Sequence, residues 1–122
     1  DQEGKDSYRF SKAGADKVII SSKKQWAIIN NLNSREKELE YLLRETANSD
    51  IVIVEGWKHS SLKKIEIYRE KINKDFLHIK DENIVAIALE NLNIPIKQPI
   101  QKLNLNDHSS IADFIVKNKF DI

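Results

Sequence analysis

Ile51-Val52-Ile53-Val54-Glu55-Gly56 is the stretch on which the expected fold turns. Four β-branched apolar residues run without a break into a carboxylate, and a glycine follows at once. An unbroken apolar strand is buried on both faces, the situation of a central strand in a parallel sheet. Such sheets gather ligands at the carboxyl ends of their strands, so the run would deliver Glu55 to the place where a nucleotide's magnesium sits. Asp50 opens the same run. Five rises of about 3.3 Å put it roughly 17 Å from Glu55, so the two acids serve different places and Asp50 reads as a solvated strand start.

Toward the N-terminus, Asp6 or Ser7 is placed to cap a short helix that ends near Ala13 at Gly14. Lys17–Ser21 reads as a short strand. Ser22 with Gln25 three residues on has the capping-box spacing, predicting a helix that carries Trp26, Ile28 and Ile29. Asn33 with Glu36 repeats that spacing ahead of an apolar stripe of Leu39, Leu42, Leu43 and Ala47. Beyond the polar loop 56–64, strands are expected at 65–68, 76–79 and 84–89. Pro95 and Pro99 break the following connection. Asp107 then caps a last helix with Ile111, Phe114 and Ile115 inward. Strands alternating with helices predict one α/β domain over residues 1–122 with a mostly parallel sheet.

Composition narrows the function classes. The 122 residues are 40% hydrophobic, which suits one modest core, and 20 basic residues face 19 acidic ones. That near balance argues against a nucleic-acid stripe or a membrane surface. With no cysteine there is neither a disulfide framework nor a thiolate metal site. No apolar stretch approaches the ~20 residues of a membrane span. The chain holds no methionine and begins Asp1-Gln2-Glu3-Gly4, so it reads as the downstream part of something longer.

Four segments, in order, carry a resemblance: Gly4–Tyr8 with Ala13-Gly14-Ala15; Ser22 with Trp26-Ala27; Asp50–Lys58 with Lys64-Ile65-Glu66 and Arg69; and Leu105-Asn106-Asp107 with Ile111–Phe114. Together they resemble the molybdopterin-guanine dinucleotide biosynthesis adapter proteins, the MobB family, over nearly the whole chain. The resemblance implies a P-loop NTPase-like fold, a mostly parallel sheet flanked by helices, that binds GTP with Mg2+ and hydrolyses it slowly. It further implies a cytoplasmic homodimer that helps the molybdopterin guanylyltransferase, with molybdopterin as a further candidate ligand. Two departures stand out. The family's first strand and phosphate loop lie upstream of Gly4–Tyr8 and are missing from this chain. Gly4-Lys5 does not replace them, because a phosphate loop needs an earlier glycine and a Ser or Thr directly after the lysine. Gln25 stands where many relatives carry arginine.

Within that reading Glu55 is the expected metal ligand, directly or through water, since magnesium keeps several waters and needs few protein oxygens. Gly56 would let backbone approach the phosphates. Asp6, Ser7 and Arg9 at the first helix would border an anion, and Ser22 occupies a second turn suited to one. Asn106 and Asp107 would present polar groups to a guanine edge. Each has a plainer structural alternative: a surface acid beside a turn glycine, a capped helix with a solvated arginine, and N-caps at Ser22 and Asp107. Trp57, Lys58 and His59 suit contact with a ligand or partner. His59, His78 and His108 are too scattered for a zinc site. A protein-interaction module without nucleotide, or another P-loop enzyme such as a ligase, are the competing classes.

Overall fold

The computed structural model describes residues 3–32, 37–72 and 75–119, which fall into two compact units divided between Ser49 and Asp50. The first unit is a short helix and a β-hairpin. Helix α1 spans Asp6–Lys12 and strands β1 (Lys17–Ser21) and β2 (Trp26–Asn30) pair antiparallel, Val18 opposite Ile29 and Ile19 opposite Ile28. α1 starts one residue before the expected cap, at Lys5, and gives way at Gly14, whose φ of 100° suits only glycine. Asn31 closes the base of the hairpin, its backbone N–H donating to Asp16 O (2.8 Å) and its side chain to Ala15 O.

The expected helix after Ser22 is not formed. Trp26-Ala27-Ile28-Ile29 is aromatic and β-branched, a composition that favours a pleated strand, and Val18-Ile19-Ile20 supplies its ladder partner. Ser22 therefore closes a tight turn: its N–H donates to Gln25 O at 2.9 Å, its Oγ donates to the same oxygen at 3.0 Å, and Oγ accepts from Gln25 N at 3.3 Å. Helix α2 is one short stretch, Leu39–Arg44, burying Leu39. The Asn33–Glu36 cap lies outside the described residues.

The second unit is α/β. Strands β3 (Lys64–Tyr68), β4 (Ile84–Leu89) and β5 (Gln101–Asn104) form a parallel sheet in that order, and helix α3 (His108–Lys117) packs against β5. β4 is the central strand that an unbroken apolar run predicts: Ala86, Ile87, Ala88 and Leu89 are 0% exposed. Its two faces differ in size. Ala86 and Ala88 are small, so Phe114 and Leu103 can close on them, with Ile65, Leu105 and Ile111 around the edge. Ile87 and Leu89 fill the opposite face, beside Glu66 and Tyr68 of β3 in register. α3 begins where expected, with Asp107 Oδ1 accepting from Ser110 N at 3.1 Å. The expected strand at 76–79 is instead a series of turns.

Ile51–Glu55 is not a strand. These residues belong to neither sheet, Ile53 is 78% exposed and Ile51 is exposed as well. A parallel strand exists only through its ladder, and among the described residues no strand pairs with 51–55. Apolar character set a preference for burial without supplying a neighbour. The continuous run that did find strands on both sides is β4.

Candidate functional site

The eight residues singled out in the sequence divide between the two units: Asp6, Ser7, Arg9 and Ser22 in the first, Glu55, Gly56, Asn106 and Asp107 in the second. On α1, Arg9 Nη1 reaches Asp6 Oδ1 at 3.7 Å, both side chains well exposed, so the arginine's charge is turned back along its own helix. Ser22 is consumed in the hairpin turn and sits at no strand-to-helix junction. Beside it Ile20, Gln25, Trp26 and Ala27 line an open concavity, with Trp26 69% exposed. Ile19, Ile28 and Trp26 alternate onto one side of the pleat and are all exposed, an apolar stripe on a two-stranded ribbon.

Glu55 ends no strand here. Its side chain is exposed, and Gly56 follows at φ 89°, a conformation that demands glycine although a Cβ there would meet nothing within 4 Å. Gly56 thus serves the turn itself: Lys58 N donates to Gly56 O at 2.9 Å, and Ser60 N to Trp57 O at 3.0 Å. Trp57 is half-buried, so its loop is partly anchored. Among the described residues no group of three or more His, Cys, Asp or Glu is placed to hold a metal. A single exposed carboxylate is still compatible with magnesium whose other ligands are waters and phosphate oxygens.

Polar residues do converge at the carboxyl edge of the parallel sheet, the place where such sheets bind ligands. After β3, Arg69 Nη1 meets Glu90 Oε1 at 3.0 Å beyond β4, both about half exposed. Asn91 Nδ2 donates to Glu70 Oε1 at 3.2 Å. After β5, Asn106 N donates to Asn104 Oδ1 at 2.9 Å and Asp107 N to Asn104 O at 3.0 Å. Asn106 and Asp107 therefore lie just past the carboxyl end of β5. The carboxylate of Asp107 is engaged, however: Ser110 Oγ donates to Oδ2 at 2.7 Å in addition to the backbone bond. Those two Ser110 bonds, the hydroxyl first, hold its carboxyl below the ordinary aspartate value.

At the opposite end of β3, Lys64 Nζ donates to Asp81 Oδ2 at 2.9 Å and to Ser60 O, fastening the loop onto the strand. The lysine, then the Asn83 N–H, hold the Asp81 carboxyl below its usual range. One polar group was missed altogether. Glu66 and His78 are buried and bonded to each other at 2.7 Å. The signal was available as an acid between two isoleucines on a short strand, but the histidine that answers it is 12 residues away.

The family model described as Molybdopterin guanine dinucleotide synthesis protein B matches residues 1–90. The chain belongs to this MobB family. Over 121 residues it is 31% identical to the molybdopterin-guanine dinucleotide biosynthesis adapter protein of Escherichia coli (strain K12), covering 96% of this chain and 67% of that one. To the adapter protein of the same description from Haemophilus influenzae it is 35% identical over 117 residues, 94% of this chain and 63% of the relative. This MobB chain thus spans about two thirds of the length of the curated relatives it matches. No helix among its described residues is long and apolar enough to cross a membrane.

Proposed function

We propose that this chain is the larger part of a GTP-binding adapter in molybdopterin-guanine dinucleotide biosynthesis, assisting the guanylyltransferase step and hydrolysing GTP slowly in the complete protein. Membership of the MobB family carries the reading, because both adapter relatives are matched over almost all of this chain. The polar carboxyl edge of β3-β4-β5 supports it: the Arg69–Glu90 and Asn91–Glu70 pairs and the Asn104–Asn106 turn lie where such sheets bind anionic or heterocyclic ligands. Glu55 is the residue we assign to the nucleotide's magnesium, with Gly56 shaping the turn beside it. Asp6, Ser7, Arg9 and Ser22 are assigned to the surroundings of the phosphates or of a molybdopterin ligand. Since no strand among the described residues pairs with 51–55, a P-loop-like sheet would have to bring Glu55 to its edge by pairing that segment in the complete protein.

Titration of GTP with and without magnesium into the full-length protein tests the assignment. Magnesium-dependent binding that Glu55→Ala weakens by tenfold or more is expected, that being about 1.4 kcal/mol. Binding indifferent to both magnesium and Glu55→Ala would favour a nucleotide-free interaction module. The homodimer belongs to the same proposal. The exposed stripe Ile19, Ile28 and Trp26 supports it, and sedimentation of Ile28→Lys against the parent would show the change in mass.

A further inference from the structure

Glu66 stands in the middle of β3 on the face it shares with Ile87 and Leu89, yet it is buried. Both oxygens of its carboxylate are engaged. Oε1 accepts from Leu77 N at 2.7 Å, and Oε2 accepts from His78 N at 3.0 Å while facing His78 Nδ1 at 2.7 Å. Across the ring, His78 Nε2 lies 3.1 Å from Gln98 Oε1. Phe76 lies against the ring at 5.1 Å and in turn meets Tyr68 at 4.6 Å. One imidazole thereby joins three segments: β3, the turns after Asp75, and the Pro95–Pro99 connection leading into β5.

Hydrogen-bond inventory makes this junction sensitive to a proton. A carboxylate and an amide oxygen only accept, so a ring between them satisfies both only when both its nitrogens carry hydrogen. That state also balances the buried carboxylate with a positive partner, which burial of an ionised group requires. We propose that Glu66, His78 and Gln98 form a proton-operated clasp holding the 91–100 connection onto β3. The clasp is closed while Glu66 is ionised and His78 carries both protons. A ring without the Nε2 hydrogen releases Gln98, while Nδ1–H keeps its bond to Glu66.

Among the described residues, Glu66 is the ionised group in contact with the ring. On β3, Lys64 is engaged by Asp81, and Tyr68 is turned to Phe76. β4 presents the apolar Ile87 and Leu89 to this face. Asp75 and Lys80 beside His78 are exposed, as is Lys97 beside Gln98.

The test is 15N NMR of the His78 ring in the full-length protein between about pH 5 and 9, with amide exchange measured alongside. Protection of the Ile100 amide, which donates to Gln98 O at 2.8 Å, should fall about tenfold as the ring becomes neutral, the equivalent of one net hydrogen bond. The Leu77 and His78 amides should keep theirs. Gln98→Glu, which offers the ring a second carboxylate, should move the opening to higher pH. A neutral ring accepting from a reversed Gln98 amide at every pH, flat Ile100 protection, or no upward movement in Gln98→Glu would each overturn the clasp.

Discussion

Glu66 Oε2 and His78 Nδ1 meet at 2.7 Å with their side chains 2% and 1% exposed, and both Glu66 oxygens also accept backbone N–H groups. An exposed ion pair contributes little, but one that is sealed in behaves differently: removing a single partner strands the other. Glu66→Ala should cost about 3 kcal/mol in urea unfolding, because two N–H groups and the imidazole lose their acceptor at once. A loss below about 1 kcal/mol would mean that water replaces the carboxylate freely.

Ile87 is fully buried on β4 beside Glu66. Ile87→Ala should destabilise by about 3 kcal/mol, the transfer term plus the cavity left in a sheet whose strands hold their spacing. The same substitution at exposed Ile72 should change the unfolding midpoint hardly at all.

Asp107 and Asp81 predict an acid-labile second unit. Both carboxyls are held below the ordinary aspartate value of 3.8, by Ser110 and by Lys64 respectively. A group whose folded value is depressed contributes stability in full above 3.8, and that contribution disappears as pH falls below it. Thermal unfolding should therefore show a falling midpoint from about pH 4 downward. Asp107→Ala should flatten part of that fall and fray the first turn of α3 at neutral pH, read by amide exchange at Ser110.

Gly56 has φ 89° in open surroundings, so its replacement tests conformation alone. Gly56→Ala should cost about 1 kcal/mol from the left-handed backbone, whereas Gly56→Asn should cost less. If Gly56 instead mattered for close approach of a phosphate, the full-length Gly56→Ala protein would lose GTP affinity out of proportion to its stability.

Much of the second unit was legible along the chain. Ile84–Leu89 announces a doubly buried strand by its continuity, and Asp107 with Ile111 and Phe114 announces a capped helix, because both signals are local. The cap at Asp107 is local too, its side chain accepting from Ser110 N three residues on. Ser22 misled because Ser-x-x-Gln spacing serves a helix cap and a hairpin turn alike, and the difference lies in the partner strand Lys17–Ser21. The Ile51–Val54 run forms no strand because four apolar residues state a need for burial and say nothing about what will cover them.

Read alone, then, the chain determined its family, its balance of charge, its turn glycines and the elements whose hydrogen bonds close within a few residues. Tertiary structure decided what depends on distant partners: that Trp26–Asn30 is a strand, that β4 rather than 51–55 occupies the sheet's centre, and that Glu66 finds His78 and Gln98. The division is physical. Helix caps and tight turns satisfy their polar groups locally, whereas strand ladders and buried charges are satisfied only by residues that the fold itself brings near.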